Sequence, residues 1–169
     1  VEGNYWSNYT GTDSDHDGIG DTPHVLGPNN EDNYPLMGMF YNFNATWEGQ
    51  NYNVNIISNS TISDLVVGTM LSNDPIYNGT KAIGFNVTGQ DGTVGFCRVC
   101  IPKALLNGNY KVFIKTGMQC TEIPFTLLNC SNATHSYLYF TYEHSTKQIQ
   151  IIPEFPTWTS ILIILIVLT

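Results

Sequence analysis

The sequence predicts a mostly β protein, and three observations carry that prediction. Apolar and polar residues alternate along much of the chain, turn dipeptides interrupt the alternation at short intervals, and charged residues are only 12% of the 169 while Asn, Thr, Ser, Gly and Tyr are abundant. Such a surface, solvated by amides and hydroxyls, suits an exported β protein. The formal net charge is −8 with only six Lys plus Arg. That balance lacks the basic footprint of a nucleic-acid binder, so no nucleic-acid partner is expected.

Residues 1–38 are rich in Asn, Asp, Gly and Tyr with little periodicity. They read as turns and short extended pieces organised around something other than an apolar core. Within them, "TDSDHDGIGDTP" sets Asp13, Asp15 and Asp17 in alternation, with Gly18 next and Asp21 four residues after Asp17. In a calcium loop, positions 1, 3 and 5 supply carboxylates, position 6 is a glycine at a sharp turn, and position 7 offers its carbonyl. Asp13, Asp15, Asp17 and the Ile19 carbonyl fill those places, and Asp21 falls at position 9, which coordinates directly or through water. Position 12 is His24, where an EF-hand has a bidentate glutamate, so the EF-hand match is poor; Glu31 and Asp32 are candidates to complete the shell. Four carboxylates this close repel one another unless a cation neutralises them, and Ca²⁺ is the expected ligand.

From Met39 to Ile152 the period is two. Ile83, Phe85 and Val87 face one way in "KAIGFNVT", with Ala82, Gly84, Asn86 and Thr88 on the other side. The same pattern runs through "NVNII", "YKVFIKT", "SYLYFTY" and "KQIQII", and Asn78-Gly79, Asp91-Gly92 and Asn107-Gly108 punctuate the runs. These signals predict an antiparallel sandwich of roughly seven strands, of immunoglobulin-like or related topology. Its expected core is Ile83, Phe85, Val87, Val112, Ile114, Leu138, Phe140 and Ile149. Only "PKALL", Pro102 to Leu106, suggests a helical turn.

Residues 153–169 begin with two prolines bracketing Glu154 and Phe155, and Trp158 is followed by eleven residues without a charge. A spanning helix needs about twenty apolar residues. The run is therefore either the start of a transmembrane helix that continues beyond Thr169 or a buried strand or short helix. An interfacial tryptophan at its head favours the membrane helix. We expect the sequence to be a fragment, open at both ends.

Smaller signals refine the class. Seven Asn-X-Ser/Thr sequons start at Asn8, Asn44, Asn59, Asn78, Asn86, Asn129 and Asn132, the mark of an exported glycoprotein. Cys97 and Cys100 have CxxC spacing, but residues three apart on a strand point to opposite faces. Cys97 is expected buried beside Val99 and Ile101, and Cys100 outward. Cys120 and Cys130 are placed to close a hairpin-like loop, and four cysteines permit three pairings. His16, His24, His135 and His144 are scattered and read as polar surface residues. Tyr5, Trp6 and Tyr9 suit either stacking on sugars or packing within the cap.

"GNYWSNY", "DGIGDTP" and "DNYPLM", in that order between Gly3 and Met37, resemble the tail that closes right-handed parallel β-helices of the NosD-like, carbohydrate-binding and sugar-hydrolysis group in archaeal and bacterial surface proteins. The aspartate loop is similar to the DxDxDGxxD calcium repeats of thrombospondin type 3 and dockerin-like proteins. "GFCRVCIPKALL", "YLYFTYEHSTKQIQI" and "IPEFP" resemble a β-sandwich and anchor of large archaeal surface proteins. "PEFP", Pro153 to Pro156, resembles the PEF-CTERM signal, although the basic cluster that follows that signal is absent here. These resemblances imply three units: a β-helix end turn with a calcium loop at 1–38, a sandwich at 39–152, and a linker with a truncated membrane helix at 153–169. The function they imply is non-catalytic: a calcium-stabilised, membrane-anchored glycoprotein segment on the extracellular face, with a structural or adhesive role. The alternative is the support region of a polysaccharide lyase or hydrolase whose active β-helix lies upstream, or a sugar-binding module working through Tyr5 to Tyr9.

Overall fold

The computed structural model describes residues 3–73 and 77–154, and these are all-β, with no helix among them. Phe155, Pro156, Trp158 and the apolar run after them lie outside the described residues. Among the described residues no helix is long and apolar enough to cross a membrane.

The first segment contributes a small hairpin, β1 (His24–Gly27) with β2 (Asn30–Asp32). Ten further strands follow: β3 (Met39–Trp47), β4 (Gln50–Ser58), β5 (Thr61–Thr69), β6 (Lys81–Thr88), β7 (Val94–Pro102), β8 (Asn109–Thr116), β9 (Gln119–Ile123), β10 (Thr126–Leu127), β11 (His135–Glu143) and β12 (Lys147–Glu154). They form two five-stranded sheets, ordered β10-β11-β7-β4-β3 and β5-β6-β12-β8-β9, with every neighbouring pair antiparallel.

Alternation sets the register. Ile83, Phe85 and Val87 on β6 face the same core as Ile149 and Ile151 on β12, Val112 on β8, Val54 and Ile56 on β4, and Leu138 and Phe140 on β11. All eight expected core residues meet in this cluster, Ile114 at its partly buried margin. A slip of one residue in any of these strands would turn its apolar set out to water, which pins the pairing.

The strand order departs from the immunoglobulin expectation. There the fourth strand joins the first sheet; here β6, fourth in the sandwich, pairs with β5 and β12 in the second. Asp91-Gly92, read as a turn, is one, and it carries the chain from β6 in one sheet to β7 in the other, with Gly92 at φ 79°. The expected count of about seven strands was low for local reasons. β10 has two residues, and a bulge between Ser63 and Val66, with Asp64 at φ 53°, breaks the period of β5. "PKALL" forms a single helical turn, Leu106 N–H donating to the Pro102 carbonyl at 3.1 Å.

The outer face of the first sheet is not bare. Ile57, Phe96 and Tyr139 point outward from it, and Leu36 of the first segment is buried against them with Leu128, flanked by Ile19 and Met37. Residues 1–38 thus do gain an apolar anchor, contrary to the reading of that segment as core-free.

Candidate metal centre

The aspartate loop lies over that covered face. Asp13, Asp15 and Asp17 each present a carboxylate oxygen, and the three oxygens lie within 4.8 Å of one another. Their backbone explains the convergence. Asp13 Oδ1 accepts the Asp17 N–H at 2.9 Å and its Oδ2 accepts the Gly18 N–H at 3.0 Å, while Asp17 Oδ1 accepts the Ile19 N–H at 2.8 Å. The loop folds back on its first carboxylate because His16 (φ 57°) and Gly18 (φ 82°) both take left-handed conformations. Gly18 is required twice over: a Cβ there would come within 3.2 Å of the Arg98 side chain on β7.

Position 7 is set by pairing. Ile19 forms an isolated antiparallel bridge with Leu36, closed by Gly20 N–H to Pro35 O at 2.7 Å and Met37 N–H to Gly18 O at 3.1 Å. Bonds made by the flanking residues leave the N–H and C=O of Ile19 itself directed away from Leu36, and that N–H meets Asp17. Asp21 stands apart from the three-carboxylate cluster. Its Oδ2 takes the Ser14 N–H at 2.8 Å and the Thr12 hydroxyl at 3.3 Å, and these bonds hold its carboxyl below the ordinary aspartate value. It buttresses the loop from the side.

The donor set fits a hard dication: oxygen ligands only, clustered, with no sulfur or imidazole among them. Burial, more than the neighbouring carboxylates, pushes Asp13 and Asp17 up from the ordinary value, although backbone N–H bonds pull the other way. Crowded carboxylates resisting ionisation are what a cation would relieve.

Asp32, a candidate to complete the shell, has other work. Its Oδ2 accepts the Asn4 N–H at 2.7 Å and the Trp6 indole N–H at 2.8 Å, and its Oδ1 accepts the Tyr34 N–H at 3.0 Å. Glu31 is exposed on β2. His24 packs its ring on Trp6 and Tyr9, centroids 5.2 and 5.8 Å away, and the Tyr9 hydroxyl donates to the Thr22 carbonyl at 2.7 Å between Gly11 and Gly20. Trp6 and Tyr9 are therefore packing residues within the first segment, and of that aromatic trio Tyr5 alone is exposed, at 45%.

Three other sequence expectations are corrected. Cys100 faces outward from its sheet as expected but is buried, because that outer face is covered; Cys97 is fully buried as expected, and burial pushes its thiol up to about 11. The four cysteines form no disulfide among the described residues. Cys120 lies on β9 of the second sheet, whereas the sulfur of Cys130 receives a bond from Arg98 of the first at 3.7 Å, so the predicted loop closure is not made. His144 is no surface residue. It is buried, with Nε2 2.8 Å from the Ser60 hydroxyl and Nδ1 against the Thr93 hydroxyl, and Ser60 also meets the Tyr142 hydroxyl at 2.7 Å. These partners are 51 to 84 residues apart in the chain, so no local motif announces them. Ser60 is only 3% exposed, and its hydroxyl is occupied on both sides; the network locks the end of the sandwich. Among the sequons, Asn59 and Asn86 have their amide nitrogens engaged, with the Val94 carbonyl at 3.0 Å and with Asp64 at 2.9 Å.

No known protein family, curated protein or solved structure matches the chain.

Proposed function

We propose that this chain is a non-catalytic, calcium-stabilised segment of a cell-surface glycoprotein, with a structural or adhesive role outside the cell. The observation that carries the reading is the convergence of Asp13, Asp15 and Asp17 within 4.8 Å on a loop seated against the sandwich. Calcium there stiffens the loop that rests on the sheet, with the Ile19 carbonyl and Asp21 as further ligands, Asp21 directly or through water. The first 38 residues serve as the end turn of a right-handed β-helix; the parallel bridge of Tyr5 to Leu36 is the pairing type such a coil uses and supports that assignment. The apolar run from Trp158 is the start of a membrane helix that holds the sandwich and its sequons on the extracellular face. A support role beneath an upstream polysaccharide-cleaving β-helix is compatible with the same architecture.

The test is calcium linkage. Extracellular sites bind at about 10⁻⁴ to 10⁻³ M, and a ligand at a hundred times its Kd adds about 2.7 kcal/mol to the folded state. For a chain of this size that is a rise in Tm of roughly 5–10 °C. The full chain should show that rise between chelator and saturating Ca²⁺, and Asp15→Ala should abolish it. Identical melting in chelator and calcium would sink the reading.

A further inference from the structure

Arg98 on β7 lies beneath the aspartate loop, and among the described residues it is the one Lys, Arg, Asp or Glu that is buried. A buried guanidinium is costly unless negative charge lies near it. Register accounts for its placement. Arg98 points to the outer face of the first sheet with Phe96 and Cys100, opposite Tyr139 on β11 and Ile57 on β4. Its stem runs under the loop, where a Cβ on Gly18 would stand 3.2 Å from both Cβ and Cδ of the arginine. The guanidinium lies over the Tyr137 ring, 5.0 Å from its centre, and Nη2 donates to the Cys130 sulfur at 3.7 Å. Arginine and carboxylate cluster thus share one covered face, with Gly18 packed directly on the arginine stem.

The charges act on each other. Burial pushes the Asp17 carboxyl up, the Ile19 N–H and the Arg98 charge pull it down, and Asp15 and Asp21 push it up. Tyr139, the cross-strand partner of Arg98, feels the cluster from the same place: after burial, the Asp13 and Asp17 charges hold its hydroxyl high. A fixed positive charge here has two opposite effects. With no ion bound it relieves part of the repulsion among the carboxylates. Against a bound ion it is a like charge, and it raises the dissociation constant. It also bears on which ions suit the site, because the three clustered carboxylates beside one guanidinium leave two negative charges, those that a dication balances.

We propose that Arg98 is a built-in competitor of the cation site, which holds the loop on the sheet when no ion is bound, sets the weak affinity of an extracellular calcium site and matches that site to dications. The proposal rests on the calcium reading above and makes the loop a reversible responder to external Ca²⁺. A packing role alone predicts the opposite: loss of Arg98 would loosen the loop and weaken every ion alike.

Calorimetric titration of the full chain in detergent, with Ca²⁺ and with Tb³⁺, separates the two. Arg98→Met keeps the stem on which Gly18 packs and removes the charge. It should bind Ca²⁺ about tenfold more tightly than the parent and Tb³⁺ about thirtyfold, because the repulsion scales with the charge of the ion. Arg98→Lys, which keeps the charge, should stay within about threefold of the parent for both ions. Melting in chelator gives a second measurement. Asp17→Asn should melt below the parent, since Arg98 loses its counter-charge while the amide oxygen still accepts the Ile19 N–H. Asp15→Asn, which relieves repulsion, should melt level with the parent or above it. Ca²⁺ affinity that is level or lower in Arg98→Met, or equal gains for the two ions, would overturn the proposal and leave the calcium reading standing. Should Arg98→Met fail to fold, an Asp17→Asn that melts level with the parent or above it overturns the proposal instead. A parent chain that takes up no Ca²⁺ overturns the calcium reading and this proposal together.

Discussion

Asp32 is the residue on which two backbone N–H groups and one indole N–H of the first segment converge. Three N–H groups, two of them 26 and 28 residues away, end on its two oxygens. Burial alone would raise its carboxyl, but the three bonds outweigh it and hold the group below the ordinary aspartate value. An acid with a depressed folded value stabilises the fold above its unfolded value and loses that contribution as pH falls through the folded one. Asp32→Asn should therefore lower stability at pH 7 in urea denaturation, by about 1 kcal/mol or less once solvent screening is counted, and the gap to the parent should narrow as pH falls through the depressed folded value. A gap that is the same at pH 7 and pH 3 would contradict this role. The contrast with Asp13, Asp15 and Asp17 shows what a sequence discloses at this scale. Their convergence is local, written in alternation followed by glycine, and was legible. Asp32 and the Ser60–His144 pair act across long sequence separations, and a carboxylate or hydroxyl that satisfies distant groups has no spacing signature.

Among the strands, legibility followed the alternation of apolar and polar residues, even where both faces are buried, as at Ala82–Phe85 of β6 and Ile149–Ile152 of β12. "KAIGFNVT" and "KQIQII" alternate because one face meets the core and the other carries polar groups, and they became β6 and β12. β5 was hidden by its bulge, and no period tells which strand pairs with which, since every half-buried strand offers the same pattern to any partner. The covered outer face of the first sheet was invisible for a related reason: Cys100 reads as outward, and that face of β7, with Phe96 and Arg98, proves buried only when Leu36 and its neighbours are seen over the sheet. Burial also ranks substitutions. Phe85 on β6 is fully buried and Val66 on neighbouring β5 is 58% exposed. Phe85→Ala should destabilise by about 3–5 kcal/mol, and Val66→Ala by under about 1 kcal/mol. Urea midpoints at pH 7 check the pair, and equal losses would mean that β6 does not face the core.

At the scale of the whole molecule the question is how the first segment is held to the sandwich, and two contacts answer it. Leu36 is 3% exposed in the cluster with Ile57, Phe96, Leu128 and Tyr139. Beside it the aspartate loop rests on the sheet, with Gly18 over Arg98 and the His16 ring edge-on to Tyr139 at 5.9 Å. The loop is also felt electrically: burial first, then the Asp13 and Asp17 charges, pushes the Tyr139 hydroxyl up to about 12. If both contacts are needed, loosening the apolar one should weaken the cation site without unfolding the sandwich, whose own core is a separate cluster. Leu36→Asp places an unpaired charge in the smaller cluster, at a cost of several kcal/mol if the seat is kept, so the segment should lift instead. Thermolysin should then cut within residues 3–38 at least about tenfold faster than in the parent, leaving a resistant core over 39–154. The calcium-dependent rise in Tm should shrink in the same variant. Cleavage spread evenly over both parts would mean that segment and sandwich unfold as one unit, and unchanged cleavage would mean that Leu36 does not hold the segment down.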